Sequence, residues 1–220
     1  GEVARVDVAT MTAGAPLALG ADPGPLALSA DGRTLYGVDQ ADGALWALAL
    51  PGGAATRHPL GRGEPGRGAW LAVDDGTLYA LRGAVPSRAP GAATDPPAIW
   101  RLDARGVLAK PLPVASEPTP QDLVVLADGR LALARGDGRR GGVEILSTRS
   151  GAAVARITPP HDLHRLVVGE DGALFALNWR LGIAARYDLA MGREVWRVAL
   201  GGEPRDAAFV VGGWRLPRWW

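Results

Sequence analysis

Two imidazoles three residues apart, His161 and His164, are the first groups in this chain whose spacing could do chemistry. His-x-x-His can put two nitrogen donors on one metal ion when it lies on a helix or in a tight loop. Here the pair follows Pro159-Pro160, and the remaining histidine, His58, falls on a segment that reads as a distant outer strand. Asp162 and Asp122 would have to complete a three-ligand set, so ordinary loop histidines are the competing reading. Apart from that possible metal ion, no cofactor is expected. The chain has no cysteine, which removes disulfides, thiolate metal sites and cysteine nucleophiles. Gly-x-Ser-x-Gly is absent as well, so a serine nucleophile has no signature. The acids of Asp31-Gly32, Asp75-Gly76, Asp128-Gly129 and Asp171-Gly172 stand alone. A calcium loop alternates several oxygen ligands, so these acids read as turn residues.

The elements that must position any such group come from a repeat. A short apolar strand, a Gly-centred turn and a second apolar strand recur at Leu26 to Tyr36, Leu71 to Tyr79, Leu123 to Leu131 and Leu166 to Phe175. A degenerate fifth copy runs from Ala208 through Phe209 to Leu216. The turn glycines Gly32, Gly76, Gly129, Gly172 and Gly213 lie 44, 53, 43 and 41 residues apart. Asp-Gly between apolar runs predicts a tight hairpin, with a type I′ turn in which both residues adopt the left-handed backbone. A second hairpin follows each of the first four copies, starting at Ala44–Leu50, Ala98–Asp103, Gly142–Ser147 and Ile183–Leu189. Each reaches a glycine (Gly52-Gly53, Gly106, Gly151, Gly192) and then an outer strand such as Arg193–Leu200. Period-2 alternation marks these as half-buried antiparallel strands, and four strands per unit of this length make a propeller blade.

The fifth unit lacks a second hairpin after Trp220, and the N-terminus supplies one: Val3–Val8, a turn at Gly14, then Ala15–Leu19. The expected fold is therefore all-β, a five-bladed β-propeller with four antiparallel strands per blade and a closing blade shared between the N- and C-termini. The blades fall at 23–64, 65–117, 118–159, 160–203, and 204–220 plus 1–22. The segment LSADGRTLYGVDQADGALWALAL (28–50) resembles a YVTN-type repeat. DGALFALNWRLGIAARYDLAMGREVWRVALGG (171–202) is similar to the repeat of quinoprotein-type propellers. The resemblance to this β-propeller repeat superfamily implies the fold and leaves the chemistry open, because such repeats serve enzymes, binding proteins and scaffolds alike.

Aligning the blades shows which residues stand just ahead of each inner strand: Gly24 and Pro25, Ala69 and Trp70, Gln121 and Asp122, His164 and Arg165, Arg205 and Asp206. Three consecutive blades thus offer polar groups at the channel mouth, where a propeller has its main concavity. Two readings stay open. The arc holds a small polar or anionic ligand through Arg165 and Arg205, or Asp122, Arg165, Arg205 and Asp206 pair with one another and plug the channel. The inner strands are Leu, Val and Ala, which disfavours paired-carboxylate glycoside hydrolysis. Trp46, Trp100 and Trp196 are expected between blades, while Trp219 and Trp220 are either a packing plug or an exposed partner surface. A Gly-, Ala- and Pro-rich insertion from Arg82 to Pro97 accounts for the longest spacing and reads as functional or tolerated surface.

Composition bounds the function. Of 220 residues, 47% are hydrophobic and 21% charged, with a net charge of +1, so no excess charge advertises nucleic acid. No apolar run is long enough to span a bilayer. The chain opens at Gly1 rather than Met, from which a processed N-terminus and a periplasmic or extracellular location are expected. The leading expectation is a non-catalytic binding or scaffold domain for a protein partner or small polar ligand. Its competitor is a metal-assisted hydrolase or lyase at the polar arc, and the quinoprotein-like repeat adds a redox-complex subunit as a third reading.

Overall fold

The computed structural model describes residues 1–7, 9–19, 22–60, 69–82, 96–115, 118–136, 141–158, 163–169 and 171–202. No helix occurs among them. The chain opens on a short hairpin, with β1 (Glu2–Val3) paired to β4 (Leu17–Ala18) and β2 (Val6–Asp7) paired to β3 (Thr12–Ala13). Four meanders of four antiparallel strands follow. The first is β5 (Pro23–Leu28), β6 (Thr34–Asp39), β7 (Ala44–Ala49) and β8 (Ala55–Pro59). The second is β9 (Ala69–Asp74), β10 (Thr77–Arg82), β11 (Ala98–Leu102) and β12 (Leu112–Pro113). The third is β13 (Pro120–Val125), β14 (Leu131–Gly136), β15 (Gly141–Leu146) and β16 (Ala153–Ile157). The fourth is β17 (Arg165–Val168), β18 (Leu174–Asn178), β19 (Ile183–Asp188) and β20 (Arg193–Ala199).

The sheets are stacked face to face around their first strands: β9 packs against β5, β13 against β9, and β17 against β13. Alternation along each strand sends one set of side chains to the preceding sheet and the other to the following one. Leu45, Tyr36 and Val38 of the first sheet meet Leu78, Ala80 and Leu102 of the second. Leu81 and Ile99 meet Leu123, Leu131 and Leu133 of the third. Ala134, Val143 and Ile145 meet Leu166, Leu174 and Tyr187 of the fourth. Full burial of each large apolar side chain contributes roughly 1.5–3 kcal/mol, so these three layers supply most of the cohesion. Trp100 is half-buried against the first of them. Trp196, expected between blades, instead stands on the outer strand β20 at 49% exposure, because the alternation of that strand sends its ring to a face that no described sheet covers.

Two turn expectations are corrected. Only Asp75-Gly76 forms the predicted two-residue turn with both backbones left-handed (φ 32° and 81°), between the paired Asp74 and Thr77. At Gly129 the glycine alone is left-handed (φ 77°) and the Gly129 amide donates to the Leu126 carbonyl at 2.9 Å. That is a type I turn closed by a left-handed glycine, a longer loop in which the Asp serves as acceptor rather than as a strained centre. Asp128 Oδ1 accepts from the Arg130 amide at 3.1 Å, and Asp31 and Asp171 do the same two residues on. In the N-terminal hairpin the turn lies at 7–12 rather than at Gly14. Asp7 Oδ1 accepts from the Ala9 and Thr10 amides at 2.9 and 3.0 Å, fixing the reversal there. Gly14 sits inside the ladder, its amide donating to the Arg5 carbonyl at 2.8 Å. The copy expected at Ala208–Leu216, and with it the seam, lies outside the described residues.

Two glycines separate conformation from packing. Gly129 and Gly151 share nearly the same backbone (φ 77° and 74°). A Cβ on Gly129 would meet nothing within 4 Å, whereas on Gly151 it would lie 2.9 Å from Leu112 Cβ and 3.1 Å from the Pro113 carbonyl of the neighbouring sheet. Gly129→Ala is expected to cost about 1 kcal/mol for the left-handed backbone alone. Gly151→Ala should cost at least ~1 kcal/mol more, from overpacking between sheets. Urea denaturation of both variants measures the difference, and equal losses would contradict the tight approach.

Candidate functional site

One rim of the molecule carries Gln121, Asp122, His164 and Arg165, the described members of the expected channel mouth. It is the end at which each first strand starts and each second strand finishes, as the pairs Pro23 with Asp39, Ala69 with Arg82, Pro120 with Arg135 and Arg165 with Leu177 show. Gly24, Pro25, Ala69, Trp70, Gln121, Asp122 and Arg165 lie within the first residues of these strands rather than ahead of them, because the ladders extend back to the rim. His164 alone of the described set precedes its strand, and its amide donates to the Leu177 carbonyl at 2.9 Å.

Asp122 is almost wholly buried, at 1% exposure. It shares a face of β13 with Val124, which packs into the layer against the fourth sheet, and so its carboxylate reaches β17. Its Oδ2 accepts from the Leu166 amide at 2.7 Å, and its Oδ1 accepts from Arg165 Nη1 at 3.0 Å. Leu166 has its amide turned away from β18, since the Gly169 amide bonds the Ala173 carbonyl and fixes the alternation. An innermost strand has no further strand to satisfy such a donor, and a buried unsatisfied amide is costly. The carboxylate of the adjacent sheet supplies the acceptor. Gln121 turns its side-chain amide to the Gly136 carbonyl at 3.0 Å.

Further polar groups on the same rim were not singled out from the sequence. Arg135 and Glu144, 3% and 5% exposed, form a buried ion pair facing the second sheet. Arg156 from the outer strand donates to the other Glu144 oxygen. Arg135 Nη1 also donates to the Ala115 and Pro118 carbonyls, both at 2.8 Å, in the segment that leads into the third sheet. Arg82 holds the Leu60 carbonyl in the segment leading into the second. Asp39 Oδ1 accepts from the Asp22 amide at 3.1 Å in the segment leading into the first. The available signal was alternation: Arg135 continues the Leu131, Leu133 face, and Glu144 opposes Leu133 across the ladder. Opposite charges on paired strands at core-facing positions identify such a pair.

The fourth sheet carries an aromatic and cationic loop on this rim. His164 and Trp179 rings lie 5.1 Å apart, tilted by 54°. The Arg180 guanidinium sits 5.2 Å from the Trp179 ring centre. His161, Arg205, Asp206, Trp219 and Trp220 lie outside the described residues, as does most of the Arg82–Pro97 insertion. Among the described residues no group of three or more His, Asp or Glu side chains is placed to hold a metal ion.

No protein-family model matches the chain, and no curated protein matches it. Solved structures do. A chain of the mitotic checkpoint complex superposes with a TM-score of 0.69 at 17% identity, over 92% of this chain and 59% of that one. Dihydro-heme d1 dehydrogenase NirN, in complex with DHE, gives 0.63 at 18% identity, over 93% and 43%. Virginiamycin B lyase from Staphylococcus aureus gives 0.60 at 14%, over 84% and 59%. The chain thus spans 43% to 59% of the lengths of these structures. At such identities the likeness concerns fold alone, and the fold is that of a β-propeller.

If Asp122 is a tie between sheets, its acceptor matters more than its charge. Asp122→Asn, which keeps an oxygen for the Leu166 amide, is expected to cost about 1–2 kcal/mol, and Asp122→Ala about 3 kcal/mol. Amide hydrogen exchange at Leu166 should accelerate in the alanine variant and stay slow in the asparagine one. Unchanged stability in both would refute the tie.

Proposed function

We propose that this chain is a five-bladed propeller acting as a non-catalytic binding scaffold, which presents its rim to a protein partner. The observation that carries the functional reading is the use already made of the rim's acid. The Asp122 carboxylate is buried and engaged by the Leu166 amide and Arg165. A general acid or base must reach a substrate proton, and a group locked in this way stiffens a platform instead. The likeness to a chain of the mitotic checkpoint complex, itself an assembly, agrees with a binding role. Arg165 and Arg205 with Gln121, Asp122, His164 and Asp206 form the mouth in this reading, in the periplasmic or extracellular setting expected from the sequence.

The blade count rests on an open face. Leu26 and Leu28 lie on β5, an innermost strand, yet are 47% and 51% exposed. Between them and the N-terminal hairpin lies a cavity of about 780 Å³ lined also by Val3, Leu17 and Leu35. The hairpin covers only part of this face, through Leu19, whose Cδ2 would lie 2.6 Å from a Cβ on Gly37. In this reading the inner half of a closing blade, 204–220 completed by 1–22, is assigned to this face. Removing residues 203–220 is then expected to lower the unfolding temperature by several degrees, since each large apolar side chain that the closing blade buries contributes roughly 1.5–3 kcal/mol. A truncated chain as stable as the full one would sink the fifth blade.

The binding reading is tested on the full chain by metal analysis and partner capture, with His161→Ala and His164→Ala alongside. It expects no stoichiometric metal in any of the three proteins and a partner captured by the wild-type chain. Stoichiometric metal lost on either substitution would overturn it in favour of the metal-assisted hydrolase or lyase.

A further inference from the structure

The loops joining second to third strands in the first and fourth sheets share a length, a buried anchor that accepts from its own loop, and a left-handed glycine four residues on. In the first, Asp39 Oδ1 accepts from the Ala41 amide at 2.9 Å, and the left-handed Gly43 donates to the Asp39 carbonyl at 2.7 Å. In the fourth, Asn178 Oδ1 accepts from the Leu181 amide at 2.9 Å, and the left-handed Gly182 closes the loop. Both anchors are buried, at 3% and 2% exposure. Between anchor and glycine the first loop carries Gln40-Ala41-Asp42, and the fourth carries Trp179-Arg180-Leu181. The scaffold therefore does not require an aromatic, a cation and a large aliphatic at these positions. Leu181 nevertheless stands 59% exposed, beside an exposed Arg180 and a half-buried Trp179 that stacks on His164.

We propose that the Trp179-Arg180-Leu181 loop is the anchor of the partner interface and takes an acidic peptide segment in which a carboxylate neighbours an apolar side chain. This inference rests on the binding reading above and names the partner's chemistry. Segments 163–165 and 178–182 contain two arginines and a histidine and no acid. The Asp122 carboxylate offsets Arg165, so among the described residues of these two segments the exposed cation is Arg180. An opposite charge on the partner is favoured by that cation and steered towards it. Trp and Arg are the side chains on which interface energy concentrates. A guanidinium within cation–π distance of an indole is attracted to its face and can still contact a carboxylate with two N–H donors. Leu181 supplies the apolar floor beside it.

The test uses the full chain and short synthetic peptides in which Glu alternates with Leu and Phe, with Lys-for-Glu counterparts and a single-stranded oligonucleotide as the competing polyanion. Wild type should prefer the Glu peptides. The triple variant W179Q/R180A/L181D installs the first sheet's residues while keeping the Asn178 anchor and Gly182, so it should fold with at most a modest drop in unfolding midpoint and bind about tenfold or more weakly. Arg180→Glu alters only the exposed cation, guards against misfolding of the triple variant, and should shift preference to the Lys peptides. Binding of the Glu peptides that survives both variants would overturn this site and leave the scaffold reading standing. Absence of any peptide preference in wild type, or stronger binding of the oligonucleotide, would also overturn it.

Discussion

Among the described residues no hydrogen-bonded ladder crosses from one four-stranded sheet to the next. The stacking of the sheets therefore depends on side chains. Apolar layers give most of the cohesion, and they are non-directional. Direction comes from polar side chains that reach the backbone of a neighbouring sheet or of the segment leading into a sheet. Asp122 takes the Leu166 amide, Arg135 takes the Ala115 and Pro118 carbonyls, Arg82 takes the Leu60 carbonyl and Asp39 takes the Asp22 amide. All stand on the rim where first strands begin. Each satisfies a backbone group that no strand can reach.

The same constraint explains why the rim holds a buried ion pair. An arginine used to cap two carbonyls must itself be buried, and a buried guanidinium needs a counter-charge. Glu144 provides it, and Arg156 holds the second carboxylate oxygen from the solvent side. Such a pair adds little net stability over apolar residues of similar volume. Its effect is on geometry: the cap works only when the segment leading into the third sheet lies in one place, which fixes the angle between the second and third sheets.

What could be read from the sequence divides along the same line. Strands and their glycine turns were legible because they are local. The second hairpins expected at Ala44–Leu50, Ala98–Asp103, Gly142–Ser147 and Ile183–Leu189 appear within a residue or so at each end. Turn type was less legible: Asp-Gly suits both a two-residue turn and the second half of a longer one, and the flanking residues decide. Asp7 displaced the N-terminal turn from Gly14 because an acid that can accept from two following amides fixes a reversal where it stands. The pairing of Asp122 with Arg165 was anticipated as one of two alternatives. Its bond to Leu166 was not, since which amides of an innermost strand face outward depends on register. Arg135 and Glu144 were passed over because each reads as an ordinary polar residue until their strands are placed side by side.

The rim is thus unequal around its circumference, and the inequality bears on function. In the second and third sheets the arginine at the end of the second strand is occupied by the backbone of the incoming segment. In the first and fourth sheets that position holds an acid or amide which shapes its own loop. In the first sheet the next three residues are small or polar. In the fourth they are aromatic, basic and aliphatic: Trp179 is half-buried beside His164, while Arg180 and Leu181 are exposed. Loops held rigidly at both ends while varying between are where a repeated scaffold places recognition. The asymmetry of the fourth sheet is what a symmetric architecture needs in order to bind one partner in one orientation.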